Sequence, residues 1–311
     1  MSVLHATSHK LRVKSLLLTC GTLMLQGVFL FSFASISGWS QERQTAAATA
    51  GGQDLAKQLA NPIASLISVP VQTNYDFGVS PANSGFRFIA NVQPVVPFAL
   101  SPKINLITRN ILPIVHQSDV FVPLNEDDGG ESEIYPGQGD QSGLGDMTSS
   151  FFLSPSAPVK GVIVGAGPVF LLPTATNKYL GTGKWGVGPT FVALKQRGPW
   201  TVGGLYNQIF SFAGQSARSD VNTAFLQPFV TYSFKNTTSL AMNLESTYDF
   251  DGRNGWTVPM NWTVGKIFRA GSQLINLTVG VKYYAAGPAG APQWGLRFTS
   301  TFLYPRKPKE N

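Results

Sequence analysis

Side chains able to act as nucleophiles, bases or metal ligands are scarce in this chain of 311 residues, and they are spread apart. Two of its three histidines, His5 and His9, sit near the N-terminus; His116 lies far from them, beside Gln117 and Ser118, at the end of an apolar stretch. A serine hydrolase needs its imidazole base held by a third group, and nothing in the spacing around His116 supplies one. The single cysteine, Cys20, falls inside an N-terminal apolar run. The stretch LGTGKWGVG (180–188) is rich in glycine but lacks the GK[ST] ending of a phosphate loop, so it reads as strand and turn glycine. The expectation is a protein that is not an enzyme and uses no cofactor.

One loop concentrates charge. Asp119, Glu126, Asp127, Asp128, Glu131, Glu133 and Asp140 are seven of the 16 acids in the whole chain. Such a loop could fold into a channel mouth as a cation-selective constriction, or hold divalent ions. DDGGESE lacks the one-in-two ligand spacing of a calcium loop, so a solvated acidic loop is the preferred reading and no metal site is expected.

Composition narrows the classes further. Lys and Arg number 23 against 16 acids, a net charge of +7, yet only 13% of residues are charged, about half the globular norm. Gly contributes 32 residues and aromatics 12%. A disordered chain would be charged and poor in aromatics. The basic residues outside the N-terminus stand singly (Lys103, Lys160, Arg197, Lys235, Arg269), with no stripe to track a phosphate backbone. Nucleic acid is not expected as a partner.

The first segment reads as an export signal, residues 1–37. Lys10, Arg12 and Lys14 precede the apolar run SLLLTCGTLMLQGVFLFSFA, and small residues follow at Ala34, Ser35 and Ser37. That order is a secretory signal peptide, with cleavage after Ala34 or Ser37; an uncleaved anchor is the other reading of so long a run. Removal of Cys20 with it would leave no thiol chemistry. Residues 38–68 read as a polar leader followed by a short periplasmic helix over Asp54–Ser68, where Leu55, Leu59 and Ile63 fall at helical spacing.

From there the sequence repeats one grammar, ten to fifteen residues of alternating character followed by a turn. In TSLAMNLESTYDFDG, Leu240, Met242, Leu244, Tyr248 and Phe250 share one face of a strand; Asn243, Glu245, Thr247, Asp249 and Asp251 share the other. Twelve such segments lie near 69–80, 85–99, 104–117, 143–154, 161–174, 184–197, 200–213, 221–235, 238–250, 256–269, 273–286 and 292–305. Their links alternate between terse turns (Ser101-Pro102, Gly198-Pro199, Asn236-Thr237) and mostly longer loops (119–142, 175–183, 214–220). Short periplasmic turns and longer outside loops are the asymmetry of a transmembrane β-barrel. Trp185, Trp200, Trp256, Trp294 and Tyr304, near segment ends, suit interfacial girdles.

The expected fold is all-β: an antiparallel up-and-down barrel of about twelve strands, ten to fourteen being compatible, over residues 69–305, with a tail at 306–311. Against it stand Pro94, Pro97, Pro113, Pro168, Pro189, Pro228 and Pro259, all inside proposed strands, where each missing N–H removes a ladder bond.

In a barrel the polar faces line the lumen. The residues expected there are Gln72, Asn74, Asp76, Arg87, Asn91, Gln93, Arg109, Gln227, Asn243, Glu245, Asp249, Lys282 and Arg297, with Asn207 and Asn276 beside them. They could set the selectivity of an open pore, or satisfy one another and close a narrow one.

The segments GDQSGLGDMTSSFFLSP, VGAGPVFLLPTAT, LGTGKWGVGPTFVAL and QWGLRF resemble a bacterial family, the outer-membrane protein of the MetA pathway of phenol degradation. The resemblance covers about residues 54–305 and implies an outer-membrane barrel that passes small solutes, aromatic or hydrophobic compounds among them. It brings no catalytic or binding residues. The function expected is passive passage of small solutes by a monomer in the bacterial outer membrane, with lipids and the barrel-assembly machinery as partners. The alternatives are a non-conducting structural or surface-interaction barrel and, less favoured, an outer-membrane lipid hydrolase dependent on His116.

Overall fold

The computed structural model describes residues 52–80, 83–120, 140–251 and 255–304. The expected signal peptide, the middle of the acidic loop (121–139) and the tail at 306–311 lie outside the described residues.

A short helix, α1 (52–59), leads into fifteen strands. These are β1 (Ile67–Val79), β2 (Gly85–Val92), β3 (Val95–Ala99), β4 (Ile104–Ser118), β5 (Gln141–Leu144), β6 (Met147–Pro155), β7 (Val162–Leu172), β8 (Lys184–Arg197), β9 (Trp200–Gly214), β10 (Asn222–Ser233), β11 (Thr238–Leu244), β12 (Ser246–Asp249), β13 (Gly255–Ala270), β14 (Gln273–Ala286) and β15 (Trp294–Tyr304). Three consecutive pairs, β2/β3, β5/β6 and β11/β12, are halves of one interrupted stave, so the fifteen strands make twelve staves. Every stave pairs antiparallel with its neighbours in sequence, and β1 pairs with β15 from Ile67↔Tyr304 to Phe77↔Trp294. The sheet is therefore a closed twelve-stave barrel with no free edge.

The prolines that oppose a continuous ladder account for the three interruptions. Pro94 lies in the gap between β2 and β3, where its carbonyl still accepts from the Asn110 N–H at 3.1 Å. Pro113 on β4 faces the gap between β5 and β6 and accepts from Gly145 N at 2.9 Å. Pro259 on β13 faces Glu245, the residue between β11 and β12, and accepts from Glu245 N at 3.0 Å. Each rung keeps the bond that a proline carbonyl can accept and loses the one a proline nitrogen cannot give. Pro168 and Pro189 take another course and face each other across β7 and β8, putting two missing donors in one rung. Beside them, a Cβ on Gly167 would run into the Phe151 carbonyl oxygen, and one on Gly188 into that of Gln208, so only glycine lets these strands approach.

Side-chain alternation sorts the two barrel faces. Phe191, Val202, Phe210, Leu240, Trp262, Val264, Leu277, Val279, Val281 and Phe298 are exposed apolar residues on the outside. Toward the long-loop end Trp294 stacks on Phe77 (4.6 Å between centroids) and Trp256 lies 5.0 Å from Tyr248; at the short-turn end Trp200 meets Tyr232 at 4.9 Å. Two aromatic belts thus bracket a band of aliphatic and aromatic side chains.

The N-terminal segment departs from the helix expected over Asp54–Ser68. The helix stops at residue 59, because Pro62 disfavours helical geometry at Asn61, and Ile67 already belongs to β1. The segment lies against inward-facing barrel residues. Gln53 Nε2 donates to the Ser233 carbonyl at 2.8 Å, and Gln196 Nε2 donates to the Lys57 carbonyl at 2.8 Å. Ile63, 3% exposed, packs with Val95, Ile107, Phe152, Val192, Leu194 and Leu205, while Ala56, Ala64 and Leu66 pack on Ile267 and Leu303. These partners lie toward the short-turn ends of their staves, so the segment occupies the lumen at that end.

Candidate functional site

Above the inserted segment the lumen carries a charged cluster contributed by staves that alternation turns inward. Arg297 on β15 donates from both terminal nitrogens to the two Glu245 oxygens, at 2.8 and 2.7 Å, and from Nε to Asn74 Oδ1 at 2.8 Å. Lys282 on β14 reaches Asp76 Oδ1 at 3.0 Å, and Arg87 approaches the same carboxylate at 3.6 Å. The Tyr284 hydroxyl lies 3.4 Å from Lys282 Nζ. Asp76, Asn74 and Arg297 are among the most buried polar residues of the chain. Isolated charges at such depth would cost several kcal/mol each, so the pairs are what allows them to remain. Gln227 Nε2 lies 3.4 Å from Glu245 Oε1, and Asn261 Nδ2 donates to Asn243 Oδ1 at 2.8 Å. Gln93, 7% exposed, accepts from Arg109 Nη2 at 3.0 Å.

Most of the expected lumen residues thus meet in one place. Gln72 and Asn91 are opposite each other on β1 and β2, and Asn276 faces inward on β14. Asp249 ends β12, opposite Thr223, away from the central cluster. Tyr284 and the fully buried Asn261 belong to the same network, and their inward parity on β14 and β13 was the signal that could have found them.

The inward faces are not polar all round. Ile107, Phe152, Val192, Leu194 and Leu205 face inward and form, with Ile63, an apolar wall. Beside the turn after α1 lies a cavity of about 260 Å³, with Leu59, Val95, Phe229, Arg109 and Asn243 in its lining.

The barrel mouth is narrowed by the loop between β7 and β8. Asp146, in the gap between β5 and β6, accepts from the Ala175 N–H at 3.1 Å and from the Thr182 hydroxyl at 2.8 Å, and the Thr182 N–H is bonded to it as well. Thr176 Oγ1 accepts from Leu144 N at 3.0 Å, and Thr174 donates to the Gly145 carbonyl at 2.8 Å. Arg218 donates to the Thr182 carbonyl at 3.2 Å and to that of Gly181. Leu180 lies over Gly143 and Gly145. Nearby, exposed Asp220 accepts from Lys184 Nζ at 2.9 Å and from the Ser211 hydroxyl at 3.1 Å; the Lys184 bond first, then that of Ser211, holds its carboxyl below the usual range.

Of the acidic loop only Asp119 and Asp140 fall among the described residues, at the ends of the segment. His116 faces outward, its Nδ1 2.7 Å from Ser142 Oγ. No carboxylate or amide reaches its other ring nitrogen among the described residues, so the imidazole has no orienting partner there. Among the same residues no three of His, Cys, Asp or Glu converge on a metal position.

No protein-family pattern and no curated protein matches the chain. Solved structures do. The crystal structure of an outer membrane channel from Pseudomonas putida F1 superposes with a TM-score of 0.57 at 17% identity, over 77% of this chain and 96% of that one. The β domain of the Bordetella autotransporter BrkA gives 0.40 at 8% identity, over 77% and 100% of the two chains. The translocator domain of the autotransporter NalP from Neisseria meningitidis gives 0.32 at 13%, over 84% and 97%. At these identities the likeness is one of fold, that of outer-membrane β-barrels.

Proposed function

We propose that this chain is a bacterial outer-membrane channel for the passive passage of small solutes, narrowed at one end by its own N-terminal segment and at the other by the 173–183 loop. The observation that carries the reading is the two-sided lumen: some staves turn a charged cluster around Glu245 and Arg297 inward, and others turn in apolar residues around Phe152. A structural barrel gains nothing from burying paired charges inside a lumen that is apolar elsewhere, whereas a solute with a polar end and an apolar body is complementary to both kinds of surface. Apolar side chains exposed around the whole outside are stable only in lipid. The fold shared with an outer membrane channel agrees, and the resemblance to the MetA-pathway family would place aromatic compounds among the solutes.

The cluster holds four cations (Arg87, Arg109, Lys282, Arg297) and two anions (Asp76, Glu245), which favours anionic solutes. The second reading, a non-conducting barrel, is favoured by the insertion of residues 52–66 into the lumen. Planar-bilayer recording of the refolded protein under a salt gradient separates the two. Current with a reversal potential on the anion side is the expected result; a barrel that folds and inserts but passes no current in any condition would leave the second reading.

A further inference from the structure

The cavity beside the turn after α1 has walls of opposite character. Leu59, Val95 and Phe229 form an apolar side, and Arg109 is its single charged lining residue; no Asp or Glu lines it. Among the described residues the one hydrogen bond of the Arg109 guanidinium goes from Nη2 to Gln93 Oε1, a neutral acceptor. Glu245 has both oxygens engaged by Arg297 and acts on Arg109 only from a distance. Asn243, also in the lining, has its oxygen taken by Asn261, which leaves its Nδ2 as a second donor at the cavity.

The half-buried Arg109 guanidinium thus has one neutral amide acceptor and keeps its remaining N–H donors for whatever occupies the cavity. A carboxylate suits them best, because two coplanar oxygens match the fork of N–H donors. We propose that this cavity binds a small organic acid, its carboxylate held by Arg109 and Asn243 and its apolar body against Leu59, Val95 and Phe229. At about 260 Å³ the space lies below the roughly 300–1,000 Å³ of pockets for drug-sized ligands, which limits the occupant to something on the scale of a single ring or a short chain. The proposal rests on the lumen being a solute path and names the class of solute that would pause there, directly beside the inserted segment.

Titration calorimetry on the refolded full chain in detergent tests it, with benzoate as probe and benzamide as its uncharged counterpart of the same shape. Benzoate is expected to bind at least about tenfold more tightly, the margin of one charge-assisted hydrogen bond. Arg109→Gln should bring benzoate down to the benzamide level, and Phe229→Ala should weaken both. Arg109→Lys, which keeps the charge and loses the fork, should fall between wild type and Arg109→Gln. Folding of every variant is checked by heat-modifiable electrophoretic mobility. Equal binding of benzoate and benzamide, unchanged benzoate binding by Arg109→Gln, or a folded barrel that binds no benzoate would each overturn the site. Failure of the site and failure of the channel are distinguishable in bilayers: current without benzoate binding removes the site alone, and Arg109-dependent binding without current removes passage alone.

Discussion

Arg297 and Glu245, 52 positions apart in the chain, meet inside the barrel through two parallel hydrogen bonds of 2.8 and 2.7 Å, while the Arg297 Nε is held by Asn74 at 2.8 Å. The pair joins β15 to the gap between β11 and β12 and so reaches across the two staves between them, β13 and β14. Removing Glu245 leaves Arg297 with a neutral partner only. Glu245→Gln is expected to destabilise the barrel by about 1–3 kcal/mol, below the upper range for a fully buried pair because the Glu245 side chain is 21% exposed. Arg297→Ala, which also strands Asn74, should cost more. Thermal unfolding in detergent ranks the two, and equal stability of Glu245→Gln and wild type would mean that the pair contributes nothing net. The same Glu245→Gln change should move the reversal potential further toward anions.

The inserted segment sets a scale for opening. Full burial of Ile63 and Leu66 contributes about 2 kcal/mol each. Withdrawal of the segment would therefore be found in about one molecule in a thousand at rest. Wild-type currents should be small or brief, and Ile63→Asp, which places a charge against the apolar wall of Phe152 and Leu194, should raise open time at least about tenfold. Identical recordings from the two proteins would show that the segment is not the barrier.

Asp146 fastens the 173–183 loop through the backbone at Ala175 and Thr182 and the Thr182 hydroxyl. Asp146→Ala removes all three bonds at once. The loop should then exchange its amide hydrogens faster at 174–182 and the conductance should rise, while strand amides of β7 and β8 keep their protection. Slow exchange in the loop of the variant would show that the Thr174, Thr176 and Arg218 contacts suffice.

Asp220 supplies a pH dependence with a definite sign. Its folded-state carboxyl lies below the ordinary value, so its contribution is fully present above the unfolded aspartate value of about 3.9 and is lost as pH falls through the lower folded value. Loosening of the 211–221 loop should accordingly appear only under acid conditions, as increased proteolysis there, and Asp220→Asn should show it at neutral pH. A wild-type loop equally resistant at pH 3 and 7 would remove the role of the Lys184–Asp220 contact.

Strand positions were legible because alternation in a barrel has a single meaning: β10, β14 and β15 each carry one apolar face and one polar face, and only lipid outside and a polar lumen satisfy both. The apolar wall was not legible for the same reason. In TFVAL on β8 both faces are apolar, Val192 and Leu194 inward and Phe191 and Ala193 outward, so the pattern that marks orientation is silent there. The destination of α1 was equally hidden. Leu55, Leu59 and Ile63 make an apolar stripe that suits a lumen as well as any other surface, and the bonds that fix it, from Gln53 to the Ser233 carbonyl and from Gln196 to the Lys57 carbonyl, join amides to backbone and have no sequence signature. Asp146 reads as one acid among many until its partners 29 and 36 residues on are seen.

The pairing of β1 with β15 carries a cost in time. Lys282 and Asp76 are 206 positions apart and Arg297 and Asn74 are 223 apart, and both contacts cross the seam where the first stave meets the last two. Until the first stave and the last have docked, Asp76 has Arg87 but no lysine, Arg297 has Glu245 but no asparagine, and Lys282 has no carboxylate. Contacts of such separation are among the slowest to form. The charged cluster that would filter solutes in the finished barrel therefore also marks completion: closing the ring is the event that gives Lys282 its carboxylate and Arg297 its third hydrogen bond.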